Sequence, residues 1–237
     1  TSYNTNGTPK KRVTFKNGKE NGLMILYHRN GKKEQEGKFV NGLPEGLVTS
    51  YDQDQVKIKE VNYKNGLRHG KSTIYHASGS VGETTEFSNG YKNGVKLVYS
   101  MGNKLMLKET YKNGKLDGES VTYTLSGLPL ELKSYKNGKL DGPYKLYKEF
   151  GADTYGEYKE GKKEGFWVEK GLDKAGRSEG NYKSGKKNGK WKVGATGLFG
   201  RCEGEFINDY KHGTWTYWRH DGSKWKTEKW NNGKLLK

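Results

Sequence analysis

The chain of 237 residues carries a formal net charge of +17, and Leu, Ile, Val and Phe together supply only 41 of its positions. That balance excludes a thick globular core and, taken alone, describes a chain with too little apolar surface to offset its conformational entropy. Disorder is nevertheless the wrong reading, because 17 Tyr and 6 Trp offer large areas for burial and recur in register.

Residues 1–14 read as the back half of a repeat whose front is missing. Tyr3 falls in the register of Tyr27, and Asn6-Gly7 in that of Asn30-Gly31. From Phe15 the unit settles. Its lead aromatics are Phe15, Phe39, Tyr63, Phe87, Tyr111, Tyr135, Tyr158, Tyr182 and Phe206, and Trp230 opens a partial repeat over 230–237. The steps between them are 24 residues, except for one of 23 from Tyr135 to Tyr158. Fixed periodicity of this length is the mark of a repeat architecture. A single array over 1–237 is expected.

With the lead aromatic as offset 0, offsets 2 and 3 are Asn-Gly at 17–18, 41–42, 65–66, 89–90, 113–114, 137–138 and 232–233. Asn-Gly between extended segments predicts a hairpin, because a type I′ turn needs positive φ at both central residues. Glu160-Gly161, Ser184-Gly185 and Asn208-Asp209 hold that place elsewhere. Offset 7 is glycine in all nine full units, from Gly22 to Gly213. Inside a strand it suggests a bulge or the close approach of a ring.

A strand is expected at offsets 8 to 13, with Tyr27, Tyr51, Tyr75, Tyr99, Tyr123, Tyr147 and Trp218 at offset 12. A second turn is expected at Gly31, Gly79, Gly127, Gly151 and Gly222, and a second strand returns to the next lead aromatic. No stretch shows a helical apolar stripe. The prediction is therefore all-β, an elongated, open and twisted antiparallel meander of tandem hairpins. Each repeat would advance it about 10 Å, twice the strand spacing. Offsets 0 and 12 are expected to share one face, where their rings would stack in rows with room left by the glycine at offset 7.

The units beginning at Tyr158 and Tyr182 depart from this pattern. Lys170 and Gly194 replace the aromatic at offset 12, and Trp167 and Trp191 appear at offset 9, followed by Trp215 in the next unit. The tryptophans suggest either a local change in which face carries the core or an aromatic binding platform.

Tyr111-Lys112-Asn113-Gly114-Lys115-Leu116-Asp117-Gly118 with Tyr123, and Tyr135 to Gly142 with Tyr147, resemble the MORN repeat, in the variant met in bacterial YwqK-family antitoxin-like proteins. The resemblance extends over nearly the whole chain. It implies one β-hairpin per repeat in an open, elongated sheet. It also implies the roles of that family: scaffolds, dimerisation surfaces, lipid contacts, toxin neutralisation, and exported or surface proteins of bacteria. The departures at Lys170 and Gly194 set those units apart from the family's turn geometry.

No catalytic constellation is apparent. His28, His69, His76, His212 and His220 lack metal-ligand spacing with Cys or a second His. Asp117 and Asp141 are equivalent positions about 10 Å apart by strand spacing, and they read as turn residues. Cys202, the sole cysteine, reads as a small filler and rules out an intramolecular disulfide. No apolar run approaches the roughly 18 residues of a membrane-spanning helix. No cofactor or metal is expected.

Charge carries the functional signal. Lysines recur at offset 1 (Lys16, Lys64, Lys112, Lys136, Lys159, Lys183) and at offset 4 (Lys19, Lys115, Lys139, Lys162, Lys186, Lys234). Stacked repeats would align them along the hairpin tips as a basic ladder attractive to polyanions, or as a solvated edge that resists aggregation. The preferred expectation is a non-enzymatic scaffold, exported or on a bacterial cell envelope, that holds a protein or an anionic surface such as lipid headgroups or polysaccharide. A cytoplasmic antitoxin or immunity protein and a general polyanion binder are the alternatives. Sequence-specific nucleic acid is disfavoured because Lys outnumbers Arg, the residue of base-edge readout. Oligomeric state is left open.

Overall fold

The computed structural model describes residues 1–148, 151–170, 176–196 and 199–237. Every regular element among them is a β-strand, and within each unit the strands from Gly22 onward pair antiparallel with their neighbours in sequence, while Phe15–Lys16 and Lys19–Glu20 form a separate two-stranded sheet and Pro9–Arg12 pairs past them with Gly22–Tyr27. The protein is thus all-β, a meander of hairpins. Its strands gather into two compact units, Thr1–Leu128 and Pro129–Lys237.

One repeat shows the construction. Strand Leu43–Tyr51 pairs backwards with Lys33–Val40 and forwards with Lys57–Lys64. At the tip between the first two strands, Asn41 and Gly42 take φ values of 51° and 84°. Positive φ at both positions is the type I′ geometry that Asn-Gly predicts. Glu160, Ser184 and Asn208 hold the same conformation at φ 49°, 51° and 50°, without Asn-Gly. At the opposite margin the second turn closes with one left-handed residue, Gly31 at 80°, Gln55 at 68° or Asn103 at 58°. That is the form of a type I turn ending in a bulge. Gly151, expected in such a turn, instead begins the strand Gly151–Lys159 and pairs with Lys148; residues 149 and 150 lie outside the described residues.

The glycine at offset 7 lies within its strand, not ahead of it. Glu109 faces Ser120 while Tyr111 faces Leu116, so two extra residues are looped out around Gly118, at φ 115°. This is a bulge, and its positive φ is what requires glycine. A Cβ at Gly46, Gly165, Gly189 or Gly213 would meet nothing within 4 Å, so the position does not serve to admit a ring. The two added residues keep the alternation of side chains, and the two-residue tip sets offset 0 opposite offset 5, as Tyr111 with Leu116. Offset 0 therefore shares a face with offset 9, as in the contact of Tyr158 with Trp167. Offset 12 points to the other face, where Tyr51 reaches Glu36. The expectation that offsets 0 and 12 line one face is corrected accordingly.

In Thr1–Leu128 one face carries a row of directly opposed residues that begins apolar and turns polar. Met24, Val48 and Val61 give way to Ser72 and Thr85, then to Lys96 and Glu109. Lys96 Nζ lies 3.3 Å from Glu83 and 3.9 Å from Glu109, and the Tyr111 hydroxyl donates to Glu109 at 2.9 Å. On the other face Ile25, Thr49, Thr73 and Val121 are buried. There the Tyr51 hydroxyl donates to Glu36 at 2.7 Å and Tyr75 to Glu60 at 2.5 Å, with Lys33 and Lys57 on the same carboxylates. The bond to Glu36, with burial second, pushes the Tyr51 phenol up to about 12. The bonds from Lys33 and Tyr51 hold the Glu36 carboxyl below its ordinary value.

In Pro129–Lys237 the equivalent row alternates ring and glycine. Trp167 faces Gly180, Gly180 faces Trp191, and Trp191 faces Gly204. A Cβ at Gly156, Gly180 or Gly204 would lie 2.3–2.4 Å from the nearest atom of an indole ring. Each glycine is therefore the floor on which one tryptophan lies. Lead aromatics fill the gaps edge-on: Tyr158, Trp167, Tyr182, Trp191, Phe206 and Trp215 run as successive T-shaped contacts with centroids 4.9–6.1 Å apart. This is the favoured geometry for aromatic pairs, worth about 0.5–1.5 kcal/mol per pair beyond area burial. Cys202 is buried beside Trp215 and Tyr217, and desolvation pushes its thiol up.

Candidate functional site: the hairpin tips

Within Pro129–Lys237 successive tips are bonded to one another. The turn N–H of Gly161 donates to the Leu140 carbonyl at 2.7 Å, Gly185 to Lys163 at 2.9 Å, Asp209 to Lys187 at 3.0 Å and Gly233 to Lys211 at 2.9 Å. A second bond uses the acidic side chain at offset 6. Asp141 accepts from the Glu160 N–H at 3.0 Å, and Glu164 from the Ser184 N–H at 2.7 Å. Asp141 is thus committed to backbone, as expected of a turn residue. These bonds fix the separation of neighbouring tips, which loose hairpins would not have.

The lysines stand on this frame in cross-strand pairs. Lys136 faces Lys139, Lys159 faces Lys162, and Lys183 faces Lys186, all of them exposed. Like charges directly opposite are unfavourable on a sheet. No ion pair relieves any of the six among the described residues. Asp141, Glu160 and Glu164 bring three carboxylates to the same tips, Asp141 and Glu164 bonded to turn N–H groups. On the next tip the place of the lysine pair is taken by Ile207 and Tyr210, the latter 60% exposed with its ring over Gly233.

The tips of Thr1–Leu128 are different. Lys16 faces Lys19 and Lys112 faces Lys115, but Lys64 faces Leu67, Val40 faces Leu43 and Ser88 faces Tyr91. The lysine row is therefore broken in this unit. Leu43, Leu67 and Tyr91 are exposed and lie against the turn glycines Gly66, Gly90 and Gly114 of the following repeats.

Trp167, Trp191 and Trp215 do not form an exposed platform. They are buried, at 0%, 1% and 0% exposure. Their indole N–H groups donate to the carbonyls of Glu157, Asn181 and Glu205 at 3.0–3.1 Å. Lys163, Lys187 and Lys211 lie over the same rings at 4.4–4.5 Å from the centroids. The rings are core because a glycine opposite lets them lie flat and a lysine stem covers them. Sequence reasoning missed both partners, although Gly156, Gly180 and Gly204 keep the 24-residue step and precede their tryptophans by 11 residues.

Elsewhere the chemistry is structural. His28 and His76 place Nε2 3.0 and 3.1 Å from the Tyr51 and Tyr99 carbonyls. Among the described residues no group of three or more His, Cys, Asp and Glu is placed to hold a metal ion. On the face opposite the indoles a groove lined by Phe166, Lys190, Lys192, Glu179 and Glu203 mixes both signs of charge, with Lys192 and Glu179 paired at 3.1 Å. No protein-family model matches the chain, and no curated protein matches it.

Proposed function

We propose that the chain is a non-enzymatic scaffold that binds an anionic partner along the hairpin tips of Pro129–Lys237. The observation that carries this reading is the set of three like-charged lysine pairs, held at fixed separation by turn-to-turn hydrogen bonds and in no ion pair among the described residues. Six such lysines raise the local positive potential, and an anion bridging them removes their mutual repulsion. The scaffold role also accords with the resemblance to MORN-type repeats, and a bacterial exported or cell-envelope setting belongs to the same reading.

Retention on heparin or on anionic vesicles tests it. Charge reversal at Lys136, Lys159 and Lys183 together is expected to weaken retention and flatten its salt dependence. Retention equal to that of the wild-type chain would sink the proposal.

A second reading, contact with a protein, is favoured by Leu43, Leu67 and Tyr91, which leave half or more of their surface exposed on the tips of Thr1–Leu128. Neutralisation of a toxin by direct contact is one form of it. Leu43→Glu with Leu67→Glu should abolish capture of such a partner while heparin retention is kept.

A further inference from the structure

The charge on these tips is sparse as well as positive. Successive lysine pairs are separated by two strands, about 10 Å at ordinary sheet spacing. The turn-to-turn bonds at Gly161 and Gly185 keep that step constant over three tips. Duplex DNA carries one charge per about 1.7 Å of axis, far denser than the rungs. A nucleic acid laid along the tips would leave most of its phosphates unmatched, and Glu160 would face them. The step instead suits a polymer with one negative group for every two extended sugar rings.

The next rung supplies an independent indication. Tyr210 occupies the offset held by Lys139, Lys162 and Lys186, is 60% exposed, and lies along the tip over Gly233. Tyrosine presents an amphipathic ring with a polar handle, a surface on which the apolar face of a pyranose can rest. Three cationic rungs ending in one exposed ring answer an alternation of carboxylate and sugar face.

We propose that the tips of Pro129–Lys237 bind an acidic polysaccharide bearing one uronate carboxylate per disaccharide, with the lysine pairs meeting successive carboxylates and Tyr210 stacking on a sugar ring. This rests on the anionic-partner reading above and narrows its ligand class.

The test uses the full chain and four probes at equal ionic strength: hyaluronan oligosaccharides of eight to ten sugars, heparin of matched length, single-stranded DNA of matched length, and vesicles containing phosphatidylserine. Binding of each probe is measured directly, by anisotropy of the labelled oligosaccharides and DNA and by co-sedimentation with the vesicles. Hyaluronan is expected to bind with an affinity within about threefold of heparin despite its lower charge density. Lys136→Gln with Lys159→Gln and Lys183→Gln should weaken it at least tenfold. Tyr210→Ala should weaken hyaluronan at least fivefold and leave heparin within twofold. Unchanged tryptophan emission confirms that the variants fold.

Binding that simply follows charge density, with heparin and DNA retained and hyaluronan not, would overturn this inference and leave the anionic-partner reading standing. Binding to vesicles alone would overturn it in favour of lipid headgroups. Binding to none of the four would overturn both. Loss of hyaluronan and heparin in equal measure on Tyr210→Ala would remove the stacking role.

Discussion

The same hairpin frame surrounds two different cores. In Pro129–Lys237 the opposed row alternates glycine with Trp167, Trp191 and Trp215. In Thr1–Leu128 the same positions hold Met24, Val48, Ser72 and Lys96, and the row ends in ion pairs. Yet the backbone is common to both, with φ near 50° at Asn41 and at Ser184 and a positive-φ glycine bulge in each full repeat. The frame is therefore set by turns, bulges and strand pairing, which involve main chain. The side-chain row is free to range from aromatic to charged, and its composition decides how firmly each unit is held.

The largest effect should come from the aromatic row. Trp191→Ala removes a buried indole and is expected to cost about 3–5 kcal/mol. Gly180→Val should rival it, because even a Cβ there would sit 2.3 Å from the Trp191 ring. Ser72→Ala, at the same repeat position in the first unit, should cost far less. All six tryptophans lie in Pro129–Lys237, so their emission during denaturant unfolding reports on that unit alone. A shift below 1 kcal/mol for Trp191→Ala would erase the contrast between the two cores.

Next comes the hydroxyl network that serves the first unit in place of rings. Tyr51→Phe and Tyr75→Phe each leave a partly buried carboxylate short of a donor, at a cost of about 1–2 kcal/mol. The same bonds predict a pH dependence. The folded-state value of Tyr51 is raised to about 12, against about 10 in an unfolded chain. Its contribution is fully present below the unfolded value and is lost as pH rises through the folded one. Far-ultraviolet circular dichroism should show alkaline loss of stability between those limits, reduced in Tyr51→Phe. Glu36 and Glu60 have lowered values, so their contribution is present above the ordinary carboxylate range and is lost on acidification. An acid midpoint unaltered by Glu36→Gln with Glu60→Gln would contradict the bond assignments.

The smallest effect sharpens the claim that the frame is shared. Glu160 holds φ 49° where other tips use Asn. Asn tolerates the left-handed region better than Glu, so Glu160→Asn should stabilise by about 1 kcal/mol or less. A loss of stability in thermal melts would mean that the tip is held by side-chain contacts and not by backbone preference.

What could be read from the sequence was local. Asn41-Gly42 specifies its turn through its own two φ angles, and the 24-residue step specifies the meander. Which face a residue occupies was misjudged, because the two-residue tip sets Phe39 opposite Pro44 and so gives the face of offset 0 to the odd offsets of the following strand, a parity that the two residues added at the bulge leave unchanged. That is why Tyr51 and Tyr63, expected together, lie on opposite faces. The burial of Trp191 was equally hidden, since it depends on Gly180 and Gly204 across two strand pairings. The lysine pairs were legible from spacing, but Leu67 opposite Lys64 shows that their continuity was overestimated in the first unit.

The short repeat from Tyr135 to Tyr158 has one further consequence. Tyr144 still faces Gly156, so the missing residue has not reversed the faces downstream. Only two residues separate the paired Lys148 and Gly151, whereas five separate the paired Tyr51 and Lys57. Length changes are therefore absorbed at the margin away from the tips, and the bonded tips stay in phase. A chain built this way can gain or lose residues along one border by small genetic steps, while the other changes only by duplicating or deleting whole repeats. Epitopes or fusion partners belong on the first border. The second would lose its phase at a single inserted codon.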